Sequence, residues 1–118
     1  MTRKAKGKKP NADAGSEVLV LPPLPSYVFT ALGEVPIVLV DVIRHDGKET
    51  HDLGFADFHT RTITIRADLA AAALFHTMFH EQGHFMLFDA GVRLSERMEE
   101  AVCDAYATMR FQEMVTRR

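Results

Sequence analysis

The 118-residue chain has little of several features, and each shortage excludes a class of protein. It has one cysteine, Cys103, so it cannot form an internal disulfide, and a reducing cytoplasm fits best. No apolar run reaches the ~18 residues that span a membrane. The basic start is not followed by an apolar segment, so a secretory signal is not expected. What is present, 47% hydrophobic and 25% charged residues, is typical of one small globular domain.

Charge is unevenly distributed along the chain. The first ten residues carry five of the 14 Lys and Arg side chains and no acidic one, whereas the remainder carries nine basic and 16 acidic side chains. Residues 1–16 also lack large apolar residues beyond Met1, which predicts a disordered basic tail before a single domain over residues 17–118. A nonspecific contact of the tail with nucleic acid is the alternative, but no aromatic residues are interleaved there to stack on bases.

Short β-prone segments fill the first half of the domain. Their patterns predict strands over residues 36–43, 53–58 and 60–66, and "HDGK" at 45–48 predicts a turn. Residues 27–32 are interpreted as one helical turn closed by Gly33. In the third strand, Thr and Ile alternate strictly, so one face of "TITIR" is apolar.

Two helices are predicted after this strand. The first, over residues 68–89, is apolar nearly all round, which indicates burial on most sides, and Gly91 is a natural C-terminal stop. The second begins with Ser95 as N-cap and runs to about residue 114. Its apolar stripe is predicted to contain Met98, Ala101, Val102, Ala105, Tyr106 and Met109. The expected fold is α+β: an antiparallel or mixed sheet of about three strands packed on the buried helix, with the C-terminal helix behind it.

The buried helix carries "MFHEQGHFML", and polar groups in such a helix need an explanation. His80 and His84 are one turn apart, so both rings can bind one metal ion. Glu81 is rotated about 100° from His80, where it can reach a metal-bound water without itself binding the metal. A catalytic zinc site uses three protein ligands and leaves one position for water. The plain alternative is a metal-free helix with two histidines, whose stability a chelator would not change.

A third ligand has to come from the second helix. The candidates are Glu96, Glu99, Glu100, Cys103 and Asp104. Glu100 and Asp104 share a face beside the predicted apolar stripe, whereas Glu99 is turned about 100° away and Glu96 lies nearer the exposed start. Glu100 is therefore chosen as the ligand, and Asp104 as a residue that hydrogen-bonds a ligating imidazole. Glu96 and Glu99 fit a solvated acidic first turn.

Three further residues, His76, Cys103 and Asp89, are alternative ligands. His76 and His80 are an equally spaced pair, but Thr77 stands where the glutamate would be needed. Cys103 lies on the Glu100 side, although a lone buried cysteine is usually a small hydrophobic residue. Asp89 does not match the metzincin spacing and is expected to close the helix end.

The two segments "FHEQGHFML" and "EEAVCDAYA" resemble the ImmA/IrrE-type metallopeptidases, in the wider gluzincin-like zincin set. The family's H-E-x-G-H is matched by residues 80–84, and its second-helix pattern, roughly E-x-x-A-N-x-F-A, corresponds to residues 100–107. Cys103, Asp104 and Tyr106 stand where the pattern has Ala, Asn and Phe. The resemblance covers about residues 60–110. It implies a small zincin-like, minimal metalloprotease domain.

The resemblance also implies a set of roles. One Zn²⁺ per chain would be held by His80, His84 and Glu100, with Glu81 as the general base of peptide-bond hydrolysis. Family members often carry a helix-turn-helix domain or sit beside a repressor that they cleave, but 118 residues leave no room for that domain, so a repressor substrate is an analogy. Small stand-alone versions look like proteins of phages and mobile elements. The protein or peptide substrate and the oligomeric state stay open.

Two expectations concern the substrate. An extended peptide is expected to add along "TITIR" as an edge strand. No oxyanion donor is identified by the sequence: Tyr106, His59 and His51 are candidates as transition-state stabilisers, and Tyr106 also fits a core aromatic.

The alternative function is a noncatalytic zinc-binding interaction module, such as a phage accessory protein, whose site would be closed by a fourth ligand such as Cys103 or His76.

Overall fold

The computed structural model describes residues 20–116, so the predicted basic tail over residues 1–16 lies outside the described residues. The elements of this part are β1 (Tyr27–Thr30), β2 (Gly33–Val40), β3 (Arg44–His45), β4 (Lys48–Glu49), β5 (Gly54–Asp57), β6 (Thr62–Arg66), α1 (Ala71–Ala90) and α2 (Glu96–Thr116). The predicted α+β class is confirmed. Neither of the two described helices is long and apolar enough to cross a membrane.

The main sheet has four strands in the order β1-β2-β6-β5, where about three were predicted. β2 and β6 are parallel, and the outer strands pair antiparallel with them. The additional strand is β1, in the segment interpreted as a helical turn. That interpretation was wrong: Val28 is buried while Tyr27 and Phe29 are exposed, which is the two-residue period of a strand. Gly33, at φ 119°, turns the chain into a β-hairpin.

A small hairpin, β3–β4, follows β2 and precedes β5 in the chain and forms a separate two-stranded sheet. Its turn falls on the predicted "HDGK" segment. Asp46 and Gly47 both have positive φ, 54° and 77°, as a type I′ turn between two antiparallel strands requires. The turn predicted at residues 45–48 is confirmed.

The strand "TITIR" lies inside the sheet, not at its edge. β6 pairs with β2 on one side and with β5 on the other, so its backbone has no free side for a peptide. The expectation that a substrate adds along this strand was therefore wrong. The edge strands are β1 and β5. The predicted alternation does hold, since Ile63 and Ile65 are fully buried.

Helix α1 forms the centre of the core. Its buried side chains include Phe75, Met78, Phe79 and Phe85, and they pack with Ile63, Ile65 and Val35 of the sheet. Gly91, at φ 72°, ends the helix. Its N–H donates to the Phe88 carbonyl, and the N–H of Val92 donates to the Leu87 carbonyl. The helix thus lies between the sheet and α2, as predicted.

Helix α2 faces α1 with a different side from the one predicted. Met98, Val102 and Met109 are 40–55% exposed, whereas Cys103 and Ala107 are fully buried. The small inner residues let the two helices approach closely: a β-carbon added at Gly83 would lie 3.1 Å from Cys103 Sγ. Of the predicted apolar stripe, Tyr106 is partly buried against the core, but the other five members are exposed, because the helix contact is centred on the small residues Cys103 and Ala107. This rotation turns the acidic first turn of α2 toward α1.

Candidate metal centre

Three side chains from the two helices meet at one point. The Nε2 atoms of His80 and His84 are 3.1 Å apart. Glu100 places Oε1 3.1 Å from His80 Nε2 and Oε2 2.9 Å from His84 Nε2. Ligands bound tetrahedrally to zinc at 2.0–2.1 Å lie about 3.3 Å from one another, so these separations are compatible with three ligands of one ion. The His80–His84–Glu100 group could hold a metal ion.

The other ring nitrogens of the two histidines face carboxylates. His80 Nδ1 lies 2.8 Å from Asp104 Oδ1, the position predicted for Asp104. His84 Nδ1 lies 2.6 Å from Glu99 Oε2. An acceptor at Nδ1 keeps the proton there, which leaves the Nε2 lone pair free for a metal. Both imidazoles are therefore oriented with Nδ1 toward a carboxylate and Nε2 toward the point where the three side chains meet.

Glu99 is the residue that sequence reasoning missed. It was interpreted as part of a solvated first turn, but its side chain is 26% exposed and directed at His84. The role of Glu99 depends on which face of α2 is turned toward α1. Glu99 lies one turn before Cys103, the buried centre of the α2 inner face, so it lies on that face as well. Glu96, three residues earlier in α2, is exposed and lines the cleft at the donor group.

The carboxylate of Glu81 is buried beside this group. The residue is 8% exposed, and no hydrogen bond to its carboxylate is found among residues 20–116. Burial raises the pKa of Glu81 to about 6, and the neighbouring His80 and His84 act in the opposite direction. A buried polar group without a partner is unusual, because desolvation is not compensated. A metal ion with a bound water would supply that partner, so the residues present fit a bound metal ion.

The donor group opens into a cleft of about 480 Å³. One wall is the edge strand β5 and the residue that follows it, with Gly54, Phe55, Ala56 and Phe58; the other consists of the carboxylates of α2. A smaller adjoining cleft of about 340 Å³ reaches His76 and Asp104. The centre is thus accessible and lies beside β5, whose outer edge pairs with no other strand among residues 20–116.

The structure does not bring the other candidate residues to the donor group. Tyr106 donates its hydroxyl to Gln82 Oε1 at 3.1 Å and lines a separate apolar cavity of about 830 Å³ with Phe79. His51 and His59 are exposed, and neither lines the two clefts at the donor group. None of these three side chains therefore lies where it could stabilise a transition state at the donor group.

The rival ligands are occupied elsewhere. His76 Nε2 lies 3.3 Å from Thr108 Oγ1, outside the donor group. Burial raises the pKa of the Cys103 thiol to about 12, and its sulfur lies against Gly83, so it is protonated and behaves as a small core residue. Asp89, expected to close the end of α1, binds Arg61 with both carboxylate oxygens.

No family model, curated protein or solved structure matches this chain. The described part of the chain is thus an α+β domain with a His–His–Glu group, and its function has to be inferred from its own residues. Three features bear on that inference: the spacing of the donor atoms, the paired second nitrogens of the histidines and the unpartnered Glu81 carboxylate.

Proposed function

We propose that this protein is a zinc-dependent metallopeptidase of the ImmA/IrrE-like type. His80, His84 and Glu100 would hold one Zn²⁺ per chain, and Glu81 would act as the general base. The observation that carries the proposal is the buried Glu81 carboxylate, which lacks a hydrogen-bond partner among residues 20–116 and lies beside a converging His–His–Glu group. A structural site does not need such a group.

The donor set favours zinc. Two imidazole nitrogens and one carboxylate oxygen form a three-ligand set that is typical of catalytic zinc, and this set leaves a coordination position open. When bound, zinc lowers the pKa of a water molecule to about 7 and polarises the substrate carbonyl. The protein's contribution is to keep both Nε2 atoms unprotonated through Glu99 and Asp104.

Glu81 is suited to moving a proton. A carboxylate with a pKa of about 6 is ionised at neutral pH and still basic enough to accept a proton from an attacking water. The same oxygen can then deliver the proton to the leaving amine of the peptide. Its burial also limits competing contact with solvent, because only 8% of the residue is exposed.

The substrate is proposed to lie along β5. This edge strand borders the donor group through Gly54, Phe55 and Ala56, and an extended peptide could pair with its free side. The partner is a protein or peptide that is not yet identified, and a repressor-type substrate follows from the family resemblance alone.

The alternative is a noncatalytic zinc module, which would need a closed site. Among residues 20–116, three donors converge, and the fourth ligands considered for that reading are engaged elsewhere: His76 near Thr108 and Cys103 against Gly83. An open position favours the enzyme.

The first test is metal content and melting temperature. Wild type is expected to bind about one zinc per chain, His80→Ala and Glu100→Ala to lose it, and the matched control Glu96→Ala to keep it. Glu81→Gln should also retain zinc. Absence of zinc after reconstitution of the wild type would contradict the proposal.

The second test is hydrolysis. A peptide library made from a digested proteome would be incubated with zinc-loaded wild type or Glu81→Gln, and new amino termini would be identified by mass spectrometry. New termini with wild type alone are expected. Equal cleavage by zinc-loaded Glu81→Gln would show that Glu81 is not the general base.

A further inference from the structure

Gly54, the first residue of the edge strand β5, lies unusually close to α1. A β-carbon built at this position would lie 2.5 Å from Thr77 Cγ2, 3.1 Å from Glu81 Oε2 and 3.2 Å from Glu81 Cγ. Carbon atoms in good contact are about 3.5–4.0 Å apart. The residue pairs in the sheet with Ile65, and its φ is not among the positive values of this structure. Glycine is therefore required here for space, not for backbone conformation.

The two side chains that fill this space have different roles. Thr77 is a buried residue one turn before Glu81 on the same face of α1, and its methyl group faces Gly54 of the strand. Glu81 is the proposed general base, and its carboxylate has no hydrogen bond among residues 20–116 that would hold it in place. What remains to fix the carboxylate is the shape of its surroundings, and the missing side chain of Gly54 leaves the space into which Oε2 and Cγ extend: a β-carbon there would lie 3.1 and 3.2 Å from them.

From this contact we propose that Gly54 is a positioning residue for Glu81. Its missing side chain sets the distance of the Glu81 carboxylate from the His80–His84–Glu100 group, and a methyl group at position 54 displaces the carboxylate without touching a metal ligand. This inference rests on the proposed function. It adds that the substrate-binding edge strand and the general base are mechanically coupled through one glycine.

The chain offers a way to separate positioning from packing. Thr77→Ser removes Cγ2, the closest atom to the new methyl group, and keeps the hydroxyl. In Gly54→Ala both the helix contact and the Glu81 contact are too short, whereas in Gly54→Ala/Thr77→Ser the contact with Glu81 is what remains. Thr77→Ser alone is the matched control.

The experiment compares these variants with Glu81→Gln as the reference for a lost carboxylate. The structural readouts are melting temperature and Zn²⁺ affinity. The positioning readouts are hydrolysis of the proteome-derived peptide library and the pH midpoint of the visible absorption of Co²⁺-loaded protein, which depends on a carboxylate beside the open coordination position.

The double variant is expected to recover the melting temperature and Zn²⁺ affinity of Thr77→Ser. Its kcat on a single peptide identified in that library should nevertheless stay at least about tenfold below wild type, with KM unchanged, because a general base contributes about 10²–10⁴-fold. Its Co²⁺ midpoint should resemble that of Glu81→Gln. Wild-type hydrolysis and midpoint in the double variant would show that Gly54 acts through packing alone, and would overturn the inference.

Two further outcomes are also decisive. If Gly54→Ala/Thr77→Ser does not fold, Glu81→Ala is added to that double variant: restored folding supports the contact, and continued failure overturns it. If wild type binds neither Zn²⁺ nor Co²⁺, the proposed function itself fails and this inference fails with it. Normal metal binding and hydrolysis by both wild type and the double variant would contradict the positioning role alone.

Discussion

Glu99 Oε2 lies 2.6 Å from His84 Nδ1, so the second histidine of the donor group has its own carboxylate partner. His80 has the equivalent partner in Asp104, at 2.8 Å. The two carboxylates differ in environment, because the side chain of Glu99 is 26% exposed and that of Asp104 is 64% exposed. Solvent weakens a contact of this kind, so the Glu99 pair is expected to matter more.

Removal of Glu99 should weaken metal binding without removing a ligand. Loss of such a partner typically lowers metal affinity about 10–100-fold, so Glu99→Ala is expected to lower Zn²⁺ affinity by that factor and Asp104→Ala by less. Glu99→Gln, which retains an acceptor oxygen, should fall between Glu99→Ala and wild type. Competition with a chromogenic chelator measures these affinities. Glu96→Ala is the control. An equal loss of Zn²⁺ affinity in that variant would show that the effect comes from removal of a negative charge and not from the contact with His84.

The donor pair was predictable because it depends on local geometry. Residues four apart in a helix share a face in any fold, so His80 and His84 needed no tertiary information. The helix ends were equally local: Ser95 Oγ accepts the Met98 N–H at 3.2 Å, and Gly91 takes the left-handed conformation. The sheet edge, by contrast, depends on how distant strands pair, which the alternation in "TITIR" does not contain.

The rotation of α2 was not predictable from its apolar residues. The stripe with Met98 and Met109 is the strongest hydrophobic pattern of the helix, yet the inner face is built on Cys103 and Ala107. Close helix packing selects small residues, which carry little pattern. Glu100 was selected for its place beside the wrong stripe, and it reaches the donor group because it also borders the inner face. Glu99 was missed for the same reason.

Glu81→Gln should stabilise the metal-free protein at neutral pH. The folded-state pKa of about 6 exceeds the ordinary 4.5 because burial penalises the carboxylate, so the folded state favours the protonated form. This contribution is present below pH 4.5 and is lost as the pH rises through 6. Above that pH, Glu81→Gln should exceed wild type by about 2 kcal/mol. Urea unfolding with chelator between pH 4 and 8 measures the difference. Glu113→Gln, an exposed control, should show no such trend.

The Arg61–Asp89 ion pair should contribute strongly to stability. Both guanidinium nitrogens bind the carboxylate, at 2.8 and 2.9 Å, and the Asp89 side chain is fully buried. Hydrogen bonds from Arg61 lower the pKa of Asp89 to about 2. The stabilisation is therefore present above pH 3.8 and is lost as the pH falls toward 2. Asp89→Asn should lower the free energy of unfolding by on the order of 3 kcal/mol at pH 7.

The exposed Arg66–Asp68 pair provides the matched control for this prediction. Asp68→Asn should change stability much less than Asp89→Asn, as is usual for surface pairs. The difference between Asp89→Asn and wild type should shrink between pH 7 and pH 3 in urea unfolding. A difference that is the same at both pH values would mean that the loss comes from packing and not from charge.

Gly83→Ala should weaken both stability and metal binding. The added β-carbon would lie 3.1 Å from Cys103 Sγ, 3.3 Å from its Cβ and 3.4 Å from its Cα, so α2 has to move away from α1. Overpacking of this kind typically costs about 1–3 kcal/mol. Since Glu100 is on α2 and both histidines are on α1, the same movement should lower Zn²⁺ affinity.

Cys103→Ala removes the sulfur but leaves Cβ, so Gly83→Ala/Cys103→Ala should recover part of the stability and of the affinity. Thermal melting and chelator competition measure both, with Cys103→Ala alone as the control. Wild-type Zn²⁺ affinity in a destabilised Gly83→Ala protein would show that the helix spacing does not govern the donor group.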